Sequence, residues 1–259
     1  MSRAVAAAGP SRGNGAGGRS SSMSRGPVLR YFQRAELPLT SLVFLLPFMV
    51  VYELGTRLIS GVPVHAFTLL RRFFDLFGAT GAYLPALAVV GILLAWHIAR
   101  RDPWQVDVST LIGMLFESAS LAIPLIAMNF VAVRYLALSA PASASSAARG
   151  MLVLSLGAGI YEELVFRLIL FTALHALFFD VMGMRKFYGY LLIVASSSVL
   201  FAQYHYWAGE PFLWRTFVFR VLGGAYFGAL FVLRGFGITA GAHAAYDLIV
   251  VLLRTCAPG

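Results

Sequence analysis

Three groups of ionisable residues lie inside long apolar stretches of this 259-residue chain. The first is the run YEELVFR, in which Glu162, Glu163 and Arg167 fall within six positions. One charged side chain at the centre of a bilayer costs about 2.5 to 3.5 kcal/mol, so three unpaired charges would cost about 7 to 10 kcal/mol. Charges placed at such a cost are expected to be paired, to serve the chemistry, or both.

The spacing of this first group divides it into two roles. On a helix, Glu163 and Arg167 are four residues apart on one face, with the glutamate N-terminal, which is the favoured order for an ion pair. Glu162 points about 100° away from Glu163 and has no basic partner in register. We therefore expect Glu163 with Arg167 to be structural support and Glu162 to be the reactive acid or base. The alternative is a helix start, where acidic residues in the first turn complement the helix dipole.

The second group is His205 with Phe201 four residues before it, in the run LFAQYHYW. A histidine among tyrosine and tryptophan residues is also typical of a membrane interface, and Tyr204, Tyr206 and Trp207 surround this one. The residues alone therefore leave His205 open between a catalytic role and an interfacial one.

The third group is His243 with Asp247, which share one face of an otherwise apolar helix. A histidine next to a carboxylate is a pairing used by catalytic bases and by metal ligands, where the carboxylate orients the imidazole. The alternative is a polar pair that satisfies itself in the protein core.

Small residues accompany each of the three groups. Small residues at 157–159 precede the glutamates, those at 196–198 precede His205, and those at 240–242 precede His243. Gly224 and Gly228 form a Gly-x-x-x-Gly pattern in the span between His205 and His243. Small residues let membrane helices approach closely. We therefore expect the three polar groups to face one shared interior.

The elements that carry these residues are predicted to be membrane-spanning helices. The chain is 59% hydrophobic and 12% charged, which is far more apolar than a soluble domain. A spanning helix needs about 20 predominantly apolar residues. The fold class is therefore all-α, a polytopic membrane helix bundle of about seven spans plus an interfacial helix within residues 62–79. The predicted spans are near 37–58, 81–99, 108–131, 151–178, 188–206, 214–233 and 236–254.

The termini and the composition of the chain predict its domain organisation, its partners and its location. Residues 1–30 are rich in Gly, Ser, Ala and Arg and are expected to be a disordered tail before a transmembrane domain at 31–259. The net charge of +9 comes from residues in the tail and beside the spans, which favours contact with lipid head groups and no nucleic-acid partner. Cys256 is the single cysteine, so the chain has neither an internal disulfide nor a cysteine-based metal site. Arginine in place of lysine, with abundant Ala and Gly, favours a bacterial origin and hence the cytoplasmic membrane.

Together the three groups resemble the motifs of the CPBP family of intramembrane endopeptidases. They read Glu-Glu-x-x-x-Arg, Phe-x-x-x-His and His-x-x-x-Asp, in the order of that family and on separate predicted spans. The family includes the type II CAAX prenyl endopeptidases and the bacteriocin-processing or self-immunity (Abi) proteins. The resemblance covers about residues 150–254. One position departs from it, because the prenyl endopeptidases typically have Asn where this chain has Asp247.

The resemblance implies hydrolysis of a peptide bond in a membrane-associated protein or peptide substrate. Glu162, assisted by His205, would activate a water molecule, and His243 would stabilise the oxyanion. Asp247 would orient His243 or, if protonated, donate as well. This glutamic mechanism needs no cofactor. A metal-dependent alternative stays open, in which Glu162, His205 and His243 hold Zn²⁺ with water as the fourth ligand.

Two other classes of function fit the same residues. A proton-coupled transporter uses buried Glu, His and Asp side chains as a relay, but it typically contains internal repeats, and none is evident in this sequence. A non-catalytic immunity or assembly factor of the same family is the second alternative. The presence of every motif residue favours the enzyme over that alternative.

Overall fold

The computed structural model describes residues 27–58, 83–136, 145–207 and 211–256, together with positions 69, 72, 73 and 75. All regular secondary structure in these residues is helical, which confirms the predicted all-α membrane bundle. The four continuous described ranges contain seven helices. They are α1 Pro27–Ala35, α2 Pro38–Leu58, α3 Leu84–Arg100, α4 Val108–Leu136, α5 starting with Ser145–Gly157, α6 Lys186–Trp207 and α7 Trp214–Cys256.

Helix α5 continues beyond Ser145–Gly157 and changes its winding at the glutamates. It passes through π-helical turns at Ala158–Glu162 and Leu164–Ile169, a short α-helical stretch, and a third π-helical segment at Ala176–Val181. We refer to all of these segments together as α5. π-helical turns are rare and frequently occur at functional sites. Two of them bracket Glu163 here, so the backbone is locally widened where the charged residues lie.

Helix α7 is a hairpin of two helical halves joined at Gly235. This glycine has φ 74° and ψ −176°, a backbone conformation that is essentially restricted to glycine. The rings of Phe227 and His243, each eight residues from the turn, stack 4.4 Å apart. In a continuous helix these two residues would be separated by about 24 Å. The halves 214–234 (α7a) and 236–256 (α7b) therefore run antiparallel.

In the part of the chain that the structure describes, five helical stretches are long and apolar enough to cross a membrane: Pro38–Leu58, Val108–Arg134, Gly150–Val181, Lys186–Trp207 and Trp214–Leu253. The hairpin divides the last stretch into two halves, each close to the length that one crossing needs. Helix α3, at 17 residues, is a shorter apolar helix between α2 and α4. These segments match the seven predicted spans, including the predicted interruption between residues 233 and 236.

Two predictions fall largely outside the described residues. Within the predicted interfacial helix at 62–79, the described positions 69, 72, 73 and 75 are helical. Residues 1–26 of the predicted tail are not described. The last four residues of that tail belong to α1, which begins at Pro27.

The small residues permit close packing between the helices that carry the polar groups. A Cβ atom on Gly159 of α5 would lie 2.5 Å from the backbone nitrogen of Ala244 in α7b. A Cβ atom on Gly224 of α7a would lie 3.1 Å from the Cα atom of Ser198 in α6. Helices α5, α6 and α7 are thus in direct contact at the level of the polar residues, and side chains from all three can meet.

An ion-pair network fixes α1 to the turn of the hairpin. Arg234 contacts Glu117 through two nitrogens, at 2.6 and 2.9 Å, and Glu36 at 3.1 Å. The hydroxyl of Tyr31 donates to Glu117 at 2.5 Å, and the ring of Phe32 lies 4.2 Å from the Arg234 guanidinium carbon. Burial and the hydrogen bond to Glu117 both raise the pKa of Tyr31, so its phenol stays protonated. Helices α1 and α4 are thereby held at the end of the bundle where α7b begins.

Candidate active site

The candidate site is organised around Glu163, whose side chain is completely buried. One of its carboxylate oxygens, Oε1, forms an ion pair with Arg167 at 3.1 Å. The same oxygen lies 2.7 Å from Nδ1 of His243, which donates to it. The structure thus contains the ion pair expected from the spacing on α5. It also shows a second contact, to α7b, that the sequence analysis did not anticipate.

Arg167 connects α5 to the two neighbouring helices. One terminal nitrogen donates to the carbonyl oxygen of Gly224 in α7a, at 2.9 Å. Its guanidinium carbon lies 4.7 Å from the ring centroid of Phe201 in α6 and 5.7 Å from that of Phe227. Cation–π contacts of this kind are strongest in desolvated surroundings, and Arg167 is fully buried. The arginine therefore holds α5, α6 and α7a together around the site.

Both ring nitrogens of His243 face carboxylate groups, and one face of the ring stacks on an aromatic side chain. With Nδ1 bonded to Glu163, Nε2 faces Glu162 Oε2 at 3.9 Å and Asp247 Oδ2 at 3.5 Å. The ring stacks on Phe227 with an interplanar angle of 19°. Sequence reasoning assigned the orienting role to Asp247, whereas the carboxylate nearest to His243 is that of Glu163. Nothing in the sequence pointed to Phe227, because it reaches His243 only through the hairpin at Gly235.

Glu162 and Asp247 stand on the open side of this cluster. The Glu162 side chain is 8% exposed and the Asp247 side chain 28% exposed. Glu162 lies too far from His243 Nε2 for a hydrogen bond, although the two are neighbours. Asp247 is therefore the more accessible of the two carboxylates, whereas Glu162 is buried beside His243.

His205 adjoins the cluster through Phe201. Its Nδ1 is 2.9 Å from the carbonyl oxygen of Phe201, one turn earlier on α6. A nitrogen facing a carbonyl acts as a donor, so a neutral imidazole in this position keeps Nε2 as an acceptor. The Phe201 ring lies 5.0 Å from the His205 ring and 6.2 Å from the His243 ring. The structure thus groups Glu162, Glu163, Arg167, His243 and Asp247 by direct contacts. His205 lies next to Phe201, whose ring also neighbours that of His243.

A second polar contact lies directly beside Glu162 and was not foreseen. The hydroxyl of Tyr161 donates to Glu53 Oε1 of α2 at 2.9 Å, and the Tyr161 ring meets the Tyr52 ring edge-on at 5.4 Å. The π-helical turn that ends at Glu162 is therefore attached to α2 as well as to α7.

The zinc alternative predicted from the sequence concerns Glu162, His205 and His243. Among the described residues, no group of three or more His, Cys, Asp or Glu side chains has the arrangement that would hold a metal ion. Within the set Glu162, His205 and His243, the contact that the structure shows is between Glu162 and His243. The Nδ1 atom of His243 is occupied by Glu163.

Comparison with known proteins gives one family match. Residues 144–249 match the family described as type II CAAX prenyl endopeptidase Rce1-like. None of the curated proteins and none of the solved structures matches the chain. The matched segment extends from the start of α5 into α7b and contains every motif residue. The match confirms the resemblance predicted from the motifs: residues 144–249 of this chain are similar to the Rce1-like type II CAAX prenyl endopeptidase family.

Proposed function

We propose that this protein is an intramembrane endopeptidase in which Glu162 activates the water molecule that cleaves a peptide bond. The observation that carries this proposal is the unequal bonding of two adjacent buried glutamates. Glu163 is engaged through Oε1 by Arg167 and by His243, which favours a structural role for it. Glu162 faces the open side of the cluster, within 3.9 Å of the Nε2 atom of His243.

The reaction follows from these positions. The Glu162 carboxylate takes a proton from water, and the water oxygen attacks the carbonyl carbon of the substrate peptide bond. The carbonyl oxygen becomes an oxyanion, to which His243 donates through Nε2–H, while Glu163 holds the ring by Nδ1–H. The tetrahedral intermediate collapses as the C–N bond breaks. Glu162 then passes its proton to the leaving nitrogen, which restores the free carboxylate.

His205 and Asp247 support this reaction from two sides. His205, with Nδ1 donating to Phe201, offers Nε2 as an acceptor that can hold the attacking water. Asp247 lies 3.5 Å from Nε2 of His243 and shares that N–H until the substrate carbonyl arrives. Its partial exposure places it at the entrance, so it also contacts the incoming chain.

The substrate is a membrane-associated protein or peptide, and the reaction requires no cofactor. His243 lies eight residues from the hairpin turn, about 12 Å along α7b, which is a depth within the hydrocarbon region. A substrate must therefore bring its peptide bond below the membrane surface, as a chain anchored in the bilayer can. The arginine-rich composition supports a bacterial cytoplasmic membrane as the location.

The test is cleavage of two anchored peptides by the full chain in proteoliposomes, one prenylated near its C-terminus and one carrying a membrane-spanning helix. We expect cleavage with incorporation of one ¹⁸O atom from labelled water into the new carboxyl group, and no effect of a chelator. Glu162→Gln should reduce the rate by about 10²–10⁴-fold, the range for losing a general base. Asp180→Asn, on the same helix but exposed, is the matched control and should leave the rate unchanged.

Two results would contradict the proposal. Cleavage that survives Glu162→Gln at the wild-type rate would remove Glu162 from the reaction. Loss of cleavage on chelation, with recovery on addition of zinc, would assign the water activation to a metal.

A further inference from the structure

A second cavity lies away from the candidate active site, between α3, α5, α6 and α7a. Its volume is about 860 Å³, within the range of 300 to 1,000 Å³ that is typical of ligand pockets. Most of its wall is apolar. The lining includes Ile92, Trp96, Phe171, Ile193, Phe231 and Val232.

This cavity is open sideways to the bilayer. Three of its lining side chains, Ile169, Tyr190 and Val232, are between 39% and 47% exposed, and they lie on helices that cross the membrane. The solvent that these exposed apolar atoms meet is hydrocarbon rather than water. An acyl chain can therefore enter between the helices without passing through an aqueous phase.

Three of the lining residues mark one end of the cavity. Arg100 is the last residue of α3, Glu36 directly precedes α2, and Gly235 is the hairpin turn, so these residues mark the membrane surface. Ile92 lies eight residues deeper than Arg100 on α3, about 12 Å along the helix. Half of a 30 Å hydrocarbon core is about 15 Å. The cavity therefore extends through most of one leaflet.

The residues of the cavity are distinct from those of the candidate active site. None of the motif residues contributes to its described lining. The rings of Phe171 and Phe231, both lining residues, pack edge to face at 5.3 Å and form part of its wall. A chain in this cavity would end behind that wall, away from the exposed side chain of Asp247.

We infer that this cavity is a binding site for one membrane phospholipid with an anionic head group. An acyl chain occupies the apolar part, and the phosphate meets Arg100 at the surface. Arg100 uses its Nε atom to contact Asp102 at 2.8 Å, and its terminal nitrogens remain in position to donate to a phosphate. The other charged lining residues support this choice of head group. The carboxylate of Glu36 is occupied by Arg234 at 3.1 Å, and His175 adds a further donor at the rim.

The lipid is expected to act as a fixed part of the bundle. Helix α3 contacts the rest of the protein largely through α2. A bound chain would fill the space that separates α3 from α5, α6 and α7a. This site does not depend on the proposed peptidase activity, so the two can be tested separately.

Native mass spectrometry of the full chain can test the inference directly. The protein is released from nanodiscs of phosphatidylcholine that contain a small fraction of phosphatidylglycerol, and the bound lipids are counted. We expect one phosphatidylglycerol retained per chain. Arg100→Gln should lower its retention by about ten-fold, the scale of one charge-assisted hydrogen bond. Arg57→Gln is the matched control, because Arg57 and Arg100 are both 43% exposed and only Arg100 lines the cavity.

A second pair of variants tests the apolar part without altering charge. Val232→Trp should fill the cavity and reduce lipid retention, whereas Val218→Trp should not, since Val218 is also lipid-facing on α7a but is not among the lining residues. This pair of variants tests lipid binding in the cavity even if Arg100→Gln fails to fold.

Three outcomes would overturn the inference. Equal retention of phosphatidylcholine and phosphatidylglycerol would show that the head group is not recognised. An equal loss in Arg57→Gln or Val218→Trp would show a general effect on the protein surface. Displacement of the lipid by a prenylated peptide would assign the cavity to the substrate instead.

Discussion

A single oxygen atom of Glu163 holds both Arg167, at 3.1 Å, and the Nδ1 atom of His243, at 2.7 Å. This arrangement makes the carboxylate the junction between α5, which carries Glu162, and α7b, which carries the imidazole. In the proposed mechanism, Glu163 would therefore set the positions of Glu162, which activates water, and of His243, which donates to the oxyanion, without taking either role itself.

We predict that the two adjacent glutamates respond differently to amide substitution. Glu163→Gln leaves Arg167 as an uncompensated buried cation, a loss of about 3 to 5 kcal/mol. Glu162→Gln removes a carboxylate whose nearest contact is not a hydrogen bond, so the folded fraction should stay close to that of the wild type. Unfolding in mixed micelles, measured beside the cleavage rate, separates the two effects. Equal stability of the two variants would contradict the assignment of Glu163 to structural support.

Gly235→Ala should damage the hairpin. The conformation at φ 74° and ψ −176° costs a residue with a Cβ atom about 1 to 3 kcal/mol. Because α7b starts at this turn, we also expect the cleavage rate to fall through displacement of His243. Gly91→Ala is the control, since a Cβ atom there meets nothing within 4 Å and the residue is helical, so alanine should be neutral or slightly stabilising. If Gly235→Ala destabilised the protein no more than Gly91→Ala does, the turn would not be constrained to a conformation that needs glycine.

Gly159→Ala should separate α5 from α7b. The new Cβ atom would lie 2.5 Å from the Ala244 nitrogen and 2.7 Å from the Ala240 carbonyl oxygen, and backbone atoms cannot move aside as a side chain can. The shift should lengthen the contact between Glu163 and His243, so we expect at least a ten-fold loss of the cleavage rate, the scale of one lost charge-assisted hydrogen bond. Gly150→Ala on the same helix meets nothing within 4 Å and should keep full activity. Wild-type activity in Gly159→Ala would contradict the packing.

Asp247→Asn should retain most of the activity. The amide oxygen of asparagine can still accept from Nε2–H of His243, although more weakly than a carboxylate does. We expect a reduction in kcat of about ten-fold or less, and a larger one in Asp247→Ala, which removes the acceptor. Separate measurement of kcat and KM for both variants is the test. If asparagine were as damaging as alanine, the charge of Asp247 would be essential.

The hydrogen bond between Tyr31 and Glu117 predicts a pH dependence of stability at the alkaline end. Because the pKa of Tyr31 is raised in the folded protein, by burial first and by Glu117 second, the unfolded chain loses this proton first as the pH rises. The folded state therefore loses stability above about pH 10, the ordinary pKa of tyrosine, and keeps it fully below that pH. Tyr31→Phe should reduce this alkaline loss, whereas Tyr188→Phe, at a site 53% exposed, should not. An unchanged slope in Tyr31→Phe would contradict the prediction.

Much of the fold could be read from the sequence because apolar length determines where a chain crosses a bilayer. The predicted segments 188–206 and 108–131 lie within α6 and α4, and the predicted break between 233 and 236 contains Gly235. The ion pair of Glu163 with Arg167 could also be predicted from the sequence, since both partners are on one helix and the helical repeat fixes their distance.

The rest of the site depends on tertiary packing, which leaves no local signal. Glu163 and His243 are 80 residues apart, and no pattern in either motif shows that they meet. The stacking of Phe227 on His243 requires the reversal at Gly235, and the bond from Tyr161 to Glu53 requires the position of α2. The π-helical turns around Glu163 were not predicted, because the sequence there has ordinary helical composition.

The placement of Arg167 on the same helix as Glu163 has a consequence for how the protein is made. Helix α5 leaves the ribosome before α6 and α7, so it enters the bilayer when neither Gly224 nor His243 has been synthesised. At that stage Glu163 and Arg167 can already neutralise each other, because both lie on α5. The insertion machinery therefore receives a helix in which the charges of Glu163 and Arg167 already neutralise each other. The carboxylate of Glu162 meets His243 after α7 has been synthesised.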